Sequence, residues 1–252
     1  MVAISMTGML EKWHGSASIL PGIGVFVGRS GHNAEHRHWA QQISIALEGE
    51  ILVSAGKTRI QGKAIFIPAN TLHVLHPSLT LTIYLDPNTL LAKSMAGNLD
   101  NSNTISQMND SVTSQITDCF NNIKTLKTGS QALQQTFIQA IAPGPNYRLS
   151  KVLSSLDDIL AGQTVTRAQL AEQICLSPSR FSHWFKEETG MSLRSYKKWL
   201  HLIYGIDLVL NDKKIQTAAY TANFSDQAHF ARTFKQAFGL SPALALANIK
   251  RA

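Results

Sequence analysis

Four side chains able to hold a cation stand in the first third of this 252-residue sequence: His36, His38, Gln42 and His73. In an extended segment His36 and His38 project from the same face, and Gln42 lies two alternations further along it. His73 belongs to a later extended stretch, beyond Gly62 and Pro68. Three neutral imidazoles and an amide can bind zinc, nickel or iron, because ring nitrogens suit these metals. The same four residues could instead line a pocket for an organic ligand. His32 and His76 read as loop residues, and no general base is evident beside the cluster.

A β domain must position them. Residues 19–86 contain the short apolar or alternating stretches ILPGIGVFVG, QISIALEG, EILVSAG, KAIFIPA and LTLTIYL, parted by Gly, Pro and Asn turns. This predicts an all-β barrel, with Glu48-Gly49 as a hairpin turn between SIAL and EILV. The segments GHNAEHRHWAQQISIALEGE and GKAIFIPANTLHVLHP are similar to the two cupin motifs. That resemblance implies a metal bound by two His and a Glu of the first motif and one His of the second. Gln42 occupies the place of the Glu, which removes the anionic ligand and weakens any site.

Helices follow. NTLLAKSMAG predicts a helix start, and in SVTSQITDCFNNIKTLKT the residues Val112, Ile116, Cys119, Phe120, Ile123 and Leu126 form one helical stripe. Such a stripe packs on the barrel as core. Two prolines and a glycine in AIAPGPNYRLS then predict a linker at 141–150, between domains at 1–140 and 151–252.

The C-terminal domain carries a duplication. At a constant offset of 49, Phe181 aligns with Phe230, Phe185 with Phe234, Lys186 with Lys235, Gly190 with Gly239 and Ser192 with Ser241. Aromatics four apart share one helix face, which predicts buried Phe pairs and exposed polar faces. Each segment follows a shorter helical stretch, RAQLAEQICL or IQTAAYTANF, and opens with a capping residue, Ser177 or Ser225/Asp226. Ala171 and Ala219 permit close crossing, so each unit reads as a helix-turn-helix. Gly190 and Gly239 stand where a helix end needs a left-handed residue.

On the pattern Ser177, Phe181, Phe185-Lys186 and Gly190, then FSDQAHF with Arg232 and Phe234-Lys235, then Gly239-Leu240-Ser241-Pro242, the sequence resembles the AraC/XylS family of bacterial transcription regulators. The resemblance spans about 100 residues and implies two helix-turn-helix units on one long helix, here SLRSYKKWLHLIYGIDLVL. Departures are His201 for the usual Arg, Gly205 for Ala and Asn223 for Gly. A glycine within a helix costs about 0.5–1 kcal/mol relative to Ala, which predicts looser coupling of the two units.

Two such helices can enter successive major grooves about 34 Å apart. The residues expected to face DNA are Ser179, Arg180, Ser182 and His183 in the first, and Gln227, Ala228, Ala231 and Arg232 in the second. Lys186, Lys197, Lys198 and Lys235 are expected to contact phosphates. Charge agrees: residues 148–252 hold 14 Lys and Arg against 8 Asp and Glu, whereas residues 1–147 hold 9 against 8.

The fold class is therefore α+β, with an N-terminal cupin-like β-barrel of jelly-roll type followed by helices, and an all-α C-terminal domain with two helix-turn-helix units. The expected function is a sequence-specific, DNA-binding transcription regulator, more often an activator in this family, whose barrel senses a small effector. It is expected to be a non-enzyme and a homodimer, with double-stranded DNA and RNA polymerase as partners. Competing readings are a metal-dependent cupin enzyme tethered to DNA and a DNA-binding protein whose barrel only dimerises. No apolar run suits a membrane span, and MVAISMTGMLEKWHG lacks the form of a secretory signal. With Cys119 and Cys175 as the only cysteines, both expected as buried thiols, a reducing cytoplasm is the expected location.

Overall fold

The computed structural model describes residues 12–97, 103–121, 123–138 and 147–252. Residues 141–146 of the expected linker and the first eleven residues lie outside that description.

The N-terminal half contains strands β1 (His14–Leu20), β2 (Ile23–Arg29), β3 (Gln41–Ala46), β4 (Ile51–Ala55), β5 (Thr58–Gly62), β6 (Ala64–Ile67), β7 (Val74–Leu75) and β8 (Leu79–Leu85). After them come helix α1 (Leu90–Gly97), strand β9 (Ser106–Gln107) and helices α2 (Asp110–Phe120) and α3 (Leu126–Ile138). The strands make two sheets facing each other in the jelly-roll manner, without closing into one ring. One has the order β10-β1-β2-β8-β3-β6-β9 and the other β5-β4-β7, where β10 is Ile249–Arg251.

Alternation along β3 and β8 divides the large sheet into two chemically distinct faces. Ile43, Ile45, Leu81, Ile83 and Leu85 pack with Val112, Ile116 and Leu133 of the helices. Gln42, Ser44, Thr80 and Thr82 point the other way, into the space between the sheets, and hydrogen-bond to one another. Buried polar side chains are tolerated there because each finds a partner.

Two expectations change. β3 and β4 lie in different sheets, so Glu48-Gly49 bridges the sheets and makes no hairpin; Gly49 supplies the required positive φ of 63°. The single apolar stripe after residue 110 is broken at Asn121, which caps α2, and Leu126 begins a second helix that doubles back on the first.

The C-terminal half contains α4 (Tyr147–Leu156), a 3-10 turn (Asp157–Ala161), α5 (Arg167–Gln173), α6 (Pro178–Thr189), α7 (Leu193–Leu210), α8 (Ile215–Thr221), α9 (Gln227–Phe238) and α10 (Pro242–Leu246). Caps set their limits. Thr166 and Gln169 form a capping box on α5, while Ser177, Ser192, Asp226 and Ser241 cap α6, α7, α9 and α10. Gly190 and Gly239 end α6 and α9 in the left-handed region, at φ 72° and 75°. α4 begins inside the expected linker. Cys119 is buried, whereas Cys175 is exposed in a tight turn at φ 56°.

The halves share a core. Trp13, Phe26, Ile51 and Val53 belong to one apolar cluster with Leu202, Ile206, Phe230 and Phe234. The C-terminal half is also not wholly helical, because β10 pairs in parallel with β1, Gly15 opposite Ile249. No helix of the described residues is long and apolar enough to cross a membrane.

Candidate functional site

The two helix-turn-helix units are α5 with α6 and α8 with α9, joined by α7, an 18-residue helix about 27 Å long at 1.5 Å per residue. Their first helices repeat at an offset of 48 and their second at 49, so the second turn, Ala222–Asp226, has one residue more than the first, Ile174–Ser177. Ala171 and Ala219 are buried at the crossings, and Phe181, Phe185, Phe230 and Phe234 are buried as the spacing predicts. Asn223 sits at φ 60°, a conformation Asn adopts more readily than most residues.

Gly205 has a role opposite to the one its helix propensity suggests. A Cβ there would stand 2.6 Å from the Phe230 ring and 3.3 Å from Ala222 Cβ. Its absence lets α9 press directly on the connector, which tightens the second unit rather than loosening it.

Ser179, Arg180 and His183 of α6 and Gln227, Ala228 and Arg232 of α9 are exposed. Ser182 and Ala231 are half-buried, and Ser182 Oγ donates to the Pro178 carbonyl at 3.1 Å. Lys186, Lys198 and Lys235 are exposed. Lys197 is arranged differently from the phosphate contact expected of it: half-buried, its Nζ donates to the Val165 carbonyl at 2.5 Å, and burial lowers its pKa.

On the other half, His36, His38 and His73 are brought together so that one ring nitrogen from each lies within 4.8 Å of the others. The supports differ from the expected strand. His36 forms an isolated bridge with His73, paired through both backbone N–H···O contacts at 3.0 and 2.9 Å, and His38 lies in the loop before β3. Each Nδ1 lies 2.8–2.9 Å from a backbone carbonyl, of Ala34, Ala40 and Thr71 respectively. Donation there fixes the Nδ1–H tautomer and leaves three Nε2 lone pairs. Gln42 meets His38 Nε2 at 3.0 Å and Ser44 Oγ at 2.9 Å. The Gln42 oxygen faces His38 Nε2 and its NH2 donates to Ser44 Oγ; with only a lone pair on that ring nitrogen, the amide turned over, NH2 on the ring and carbonyl accepting from Ser44, would satisfy both contacts. His73 Nε2 is buried without a partner.

Burial dominates the electrostatics. It lowers the pKa of His36 to about 4 and of His38 to about 3, with neighbouring imidazoles adding to the effect, and it lowers that of His73 as well. Neutral imidazoles this close together could hold a divalent metal, which ring nitrogens suit. The orphaned His73 nitrogen agrees with that fit, and the Gln42 contact to His38 is what a metal would displace.

The cluster adjoins a cavity of about 140 Å³ between the large sheet and the C-terminal half. Its wall includes Trp13, Phe26, His36, Gln42, Tyr84 and Asp86 from one side and Trp199, Ile203, Phe234 and Phe238 from the other. Phe238, the last residue of α9, has its ring centroid 6.0 Å from His38, 6.0 Å from Tyr84 and 6.4 Å from Trp199. Next to it Ala34 N–H donates to the Gly239 carbonyl at 2.9 Å. On the same boundary Tyr196 of α7 donates to Asp86 Oδ2 at 2.5 Å. Burial raises the Asp86 pKa, with the Tyr196 and Asn88 hydrogen bonds opposing it. Asp157, half-buried and near Asp86 and Asp158, is pushed up to about 6, chiefly by desolvation.

Sequence reasoning missed Trp13, Asn33, Tyr84, Asp86, Tyr196, Trp199 and Phe238. Each is an ordinary strand, loop or helix residue until the halves are packed together, and no spacing marks it.

Residues 170–247 match the family model of a helix-turn-helix domain. Over 106 residues, 42% of this chain, the sequence is 30% identical to the arabinose operon regulatory protein of Escherichia coli (strain K12), the match covering 36% of that protein. It is 40% identical over 60 residues to the transcriptional activator RhaR of Pectobacterium atrosepticum, 23% of this chain and 21% of that one. The matches thus span about a third or less of these relatives. In fold, the crystal structure of ToxT from Vibrio cholerae O395 superposes with a TM-score of 0.54 at 12% identity, over 89% of this chain and 96% of that chain. A ToxT structure described as bound to an unsaturated fatty acid superposes at 0.50 with 12% identity, covering 90% and 95%.

Proposed function

We infer that this chain, which belongs in its C-terminal half to the AraC/XylS family of helix-turn-helix regulators, is an effector-responsive transcription regulator that reads two successive major grooves with α6 and α9. The observation that carries this reading is the pair of capped helices, each burying two Phe and presenting a polar face, on a single connector. Arg180 with His183, and Gln227 with Arg232, are the residues assigned to base edges, with Arg232 and Gln227 best suited to bidentate contacts. Lys186, Lys198 and Lys235 neutralise phosphates.

The effector site is the cavity beneath α9. Its position supports coupling, because Phe238 of α9 lines it together with Asn33, the neighbour of Ala34 in the Ala34–Gly239 contact. The fold likeness to ToxT, one structure of which is described as bound to an unsaturated fatty acid, supports a small ligand within this architecture. A ligand that prefers one arrangement of the halves shifts the population of DNA-competent chains. The protein acts in the cytoplasm as a homodimer that activates transcription through RNA polymerase, and it is a binder rather than an enzyme.

A second reading concerns the imidazoles alone. The unpartnered His73 Nε2 favours a divalent metal on His36, His38 and His73 as a structural or sensory ion.

Selection of binding sites from fragmented genomic DNA at about 0.15 M salt, where phosphate-only binding is weakened, tests the main reading. Enrichment of a few promoter-proximal fragments is expected. Sequence-blind binding, with and without the effector classes below, overturns it.

A further inference from the structure

The chemistry of the cavity wall specifies its ligand more narrowly than its position does. An engineered cavity of about 150 Å³ lined by Leu, Ile and Phe accepts benzene, so about 140 Å³ is space for one ring or an equivalent short chain. Trp13, Phe26, Trp199, Phe234 and Phe238 provide aromatic faces. The described lining residues include no Lys or Arg, and their one acidic group is Asp86. A carboxylate entering this space would lose its water, meet no Lys or Arg and approach another acid, which is unfavourable.

Two polar atoms of the lining residues are buried with no partner: the Trp13 indole N–H, a donor only, and the Asn33 side-chain oxygen, an acceptor. Unsatisfied buried groups of this kind are costly. A hydroxyl can accept from the indole or donate to the Asn33 oxygen, and a carbonyl can accept from the indole.

We propose that the cavity binds a small, uncharged, predominantly apolar molecule of about one ring bearing a hydroxyl or carbonyl, and that it rejects the carboxylate of the same size. This rests on the cavity being the effector site.

The test uses full-length protein and size-matched pairs: 4-ethylphenol against 4-ethylbenzoate, and 1-hexanol against hexanoate, with toluene and palmitoleate as further probes. Saturation-transfer NMR and thermal shift read binding. The neutral member of each pair is expected to bind about ten-fold more tightly than its acid, a difference of about 1.4 kcal/mol. Trp13→Phe is expected to weaken 4-ethylphenol several-fold and leave toluene unchanged. Asn33→Ala, a change in the loop between β2 and β3, gives the same comparison should Trp13→Phe fail to fold. Carboxylates or palmitoleate binding as well as or better than the neutral probes would overturn the proposal and leave the effector reading intact. Binding by none of the probes would overturn the proposal, and DNA-site selection unaffected by every class would remove the effector reading separately.

Discussion

Ala34, in the loop that carries His36, donates its backbone N–H to the carbonyl of Gly239, the residue that ends α9. A Cβ on Gly239 would stand 2.2 Å from the Ala34 oxygen, whereas one on Gly190, the equivalent cap of the first unit, would meet nothing within 4 Å. The C-terminal cap of α9 is therefore clamped by the N-terminal half, and that of α6 is not.

This asymmetry makes a paired experiment. Gly190→Ala should cost about 1–2 kcal/mol for a side chain in the left-handed region. Gly239→Ala carries the same penalty plus the steric conflict with Ala34, and should cost about 1–3 kcal/mol more. Chemical denaturation of the two variants measures the difference; equal losses would mean the clamp contributes nothing. DNA binding by the folded Gly239→Ala fraction should respond less to effector.

Gly205→Ala tests the contact between connector and second unit. Helix propensity alone forecasts a gain of about 0.5–1 kcal/mol. Overpacking against Phe230 at 2.6 Å should reverse the sign and give a net loss of about 1 kcal/mol or more. A raised Tm would show that α9 can retreat without penalty.

The two kinds of DNA contact should separate in binding assays. Arg232→Ala is expected to cost about 1–3 kcal/mol and to relax preference at one base position. Lys235→Ala should weaken all sites alike and lower the salt slope by about 1. A uniform loss across site variants with Arg232→Ala would remove its base-reading role.

Metal content distinguishes the two uses of the imidazole cluster. After reconstitution with zinc, nickel or ferrous iron, elemental analysis is expected to find one ion per chain, and chelation should lower the Tm, since an ion that binds the folded state stabilises it. His73→Ala should abolish the stoichiometric ion. Wild-type protein that retains no more metal than His73→Ala would assign the cluster to the pocket wall alone.

Asp157 supplies a pH dependence of known sign. Its folded pKa is raised to about 6, chiefly by burial and then by Asp86 and Asp158. The folded state thus holds the proton more tightly than the unfolded chain, whose carboxyl titrates near 4. Its contribution is favourable at low pH and is lost as pH rises from about 4 through 6. Asp157→Asn should therefore raise the Tm at pH 7–8 and converge on wild type near pH 4. Parallel Tm curves for the two proteins across that range would show Asp157 to be unperturbed.

Much of the C-terminal half could be read directly from the sequence. Its information is local there: Phe181 and Phe185 four apart, Ser177 and Asp226 as caps and Gly190 and Gly239 as stops each act within a few residues of chain, and their repetition fixed two helix-turn-helix units. The imidazole cluster was legible for a weaker reason, since residue type marked His36, His38 and His73 even though the supporting strand was misjudged. What the sequence could not determine lies in contacts between distant segments. Gly205 reads as a flaw in a helix until Phe230 is set against it, and Lys197 reads as a free cation until Val165 is beside it. Asp86 with Tyr196, Ala34 with Gly239, Gly15 with Ile249 and the walls of the cavity arise only when the halves bury one shared core. Burial also sets the charge of these groups, because desolvation depends on everything packed around a residue rather than on its neighbours in the chain.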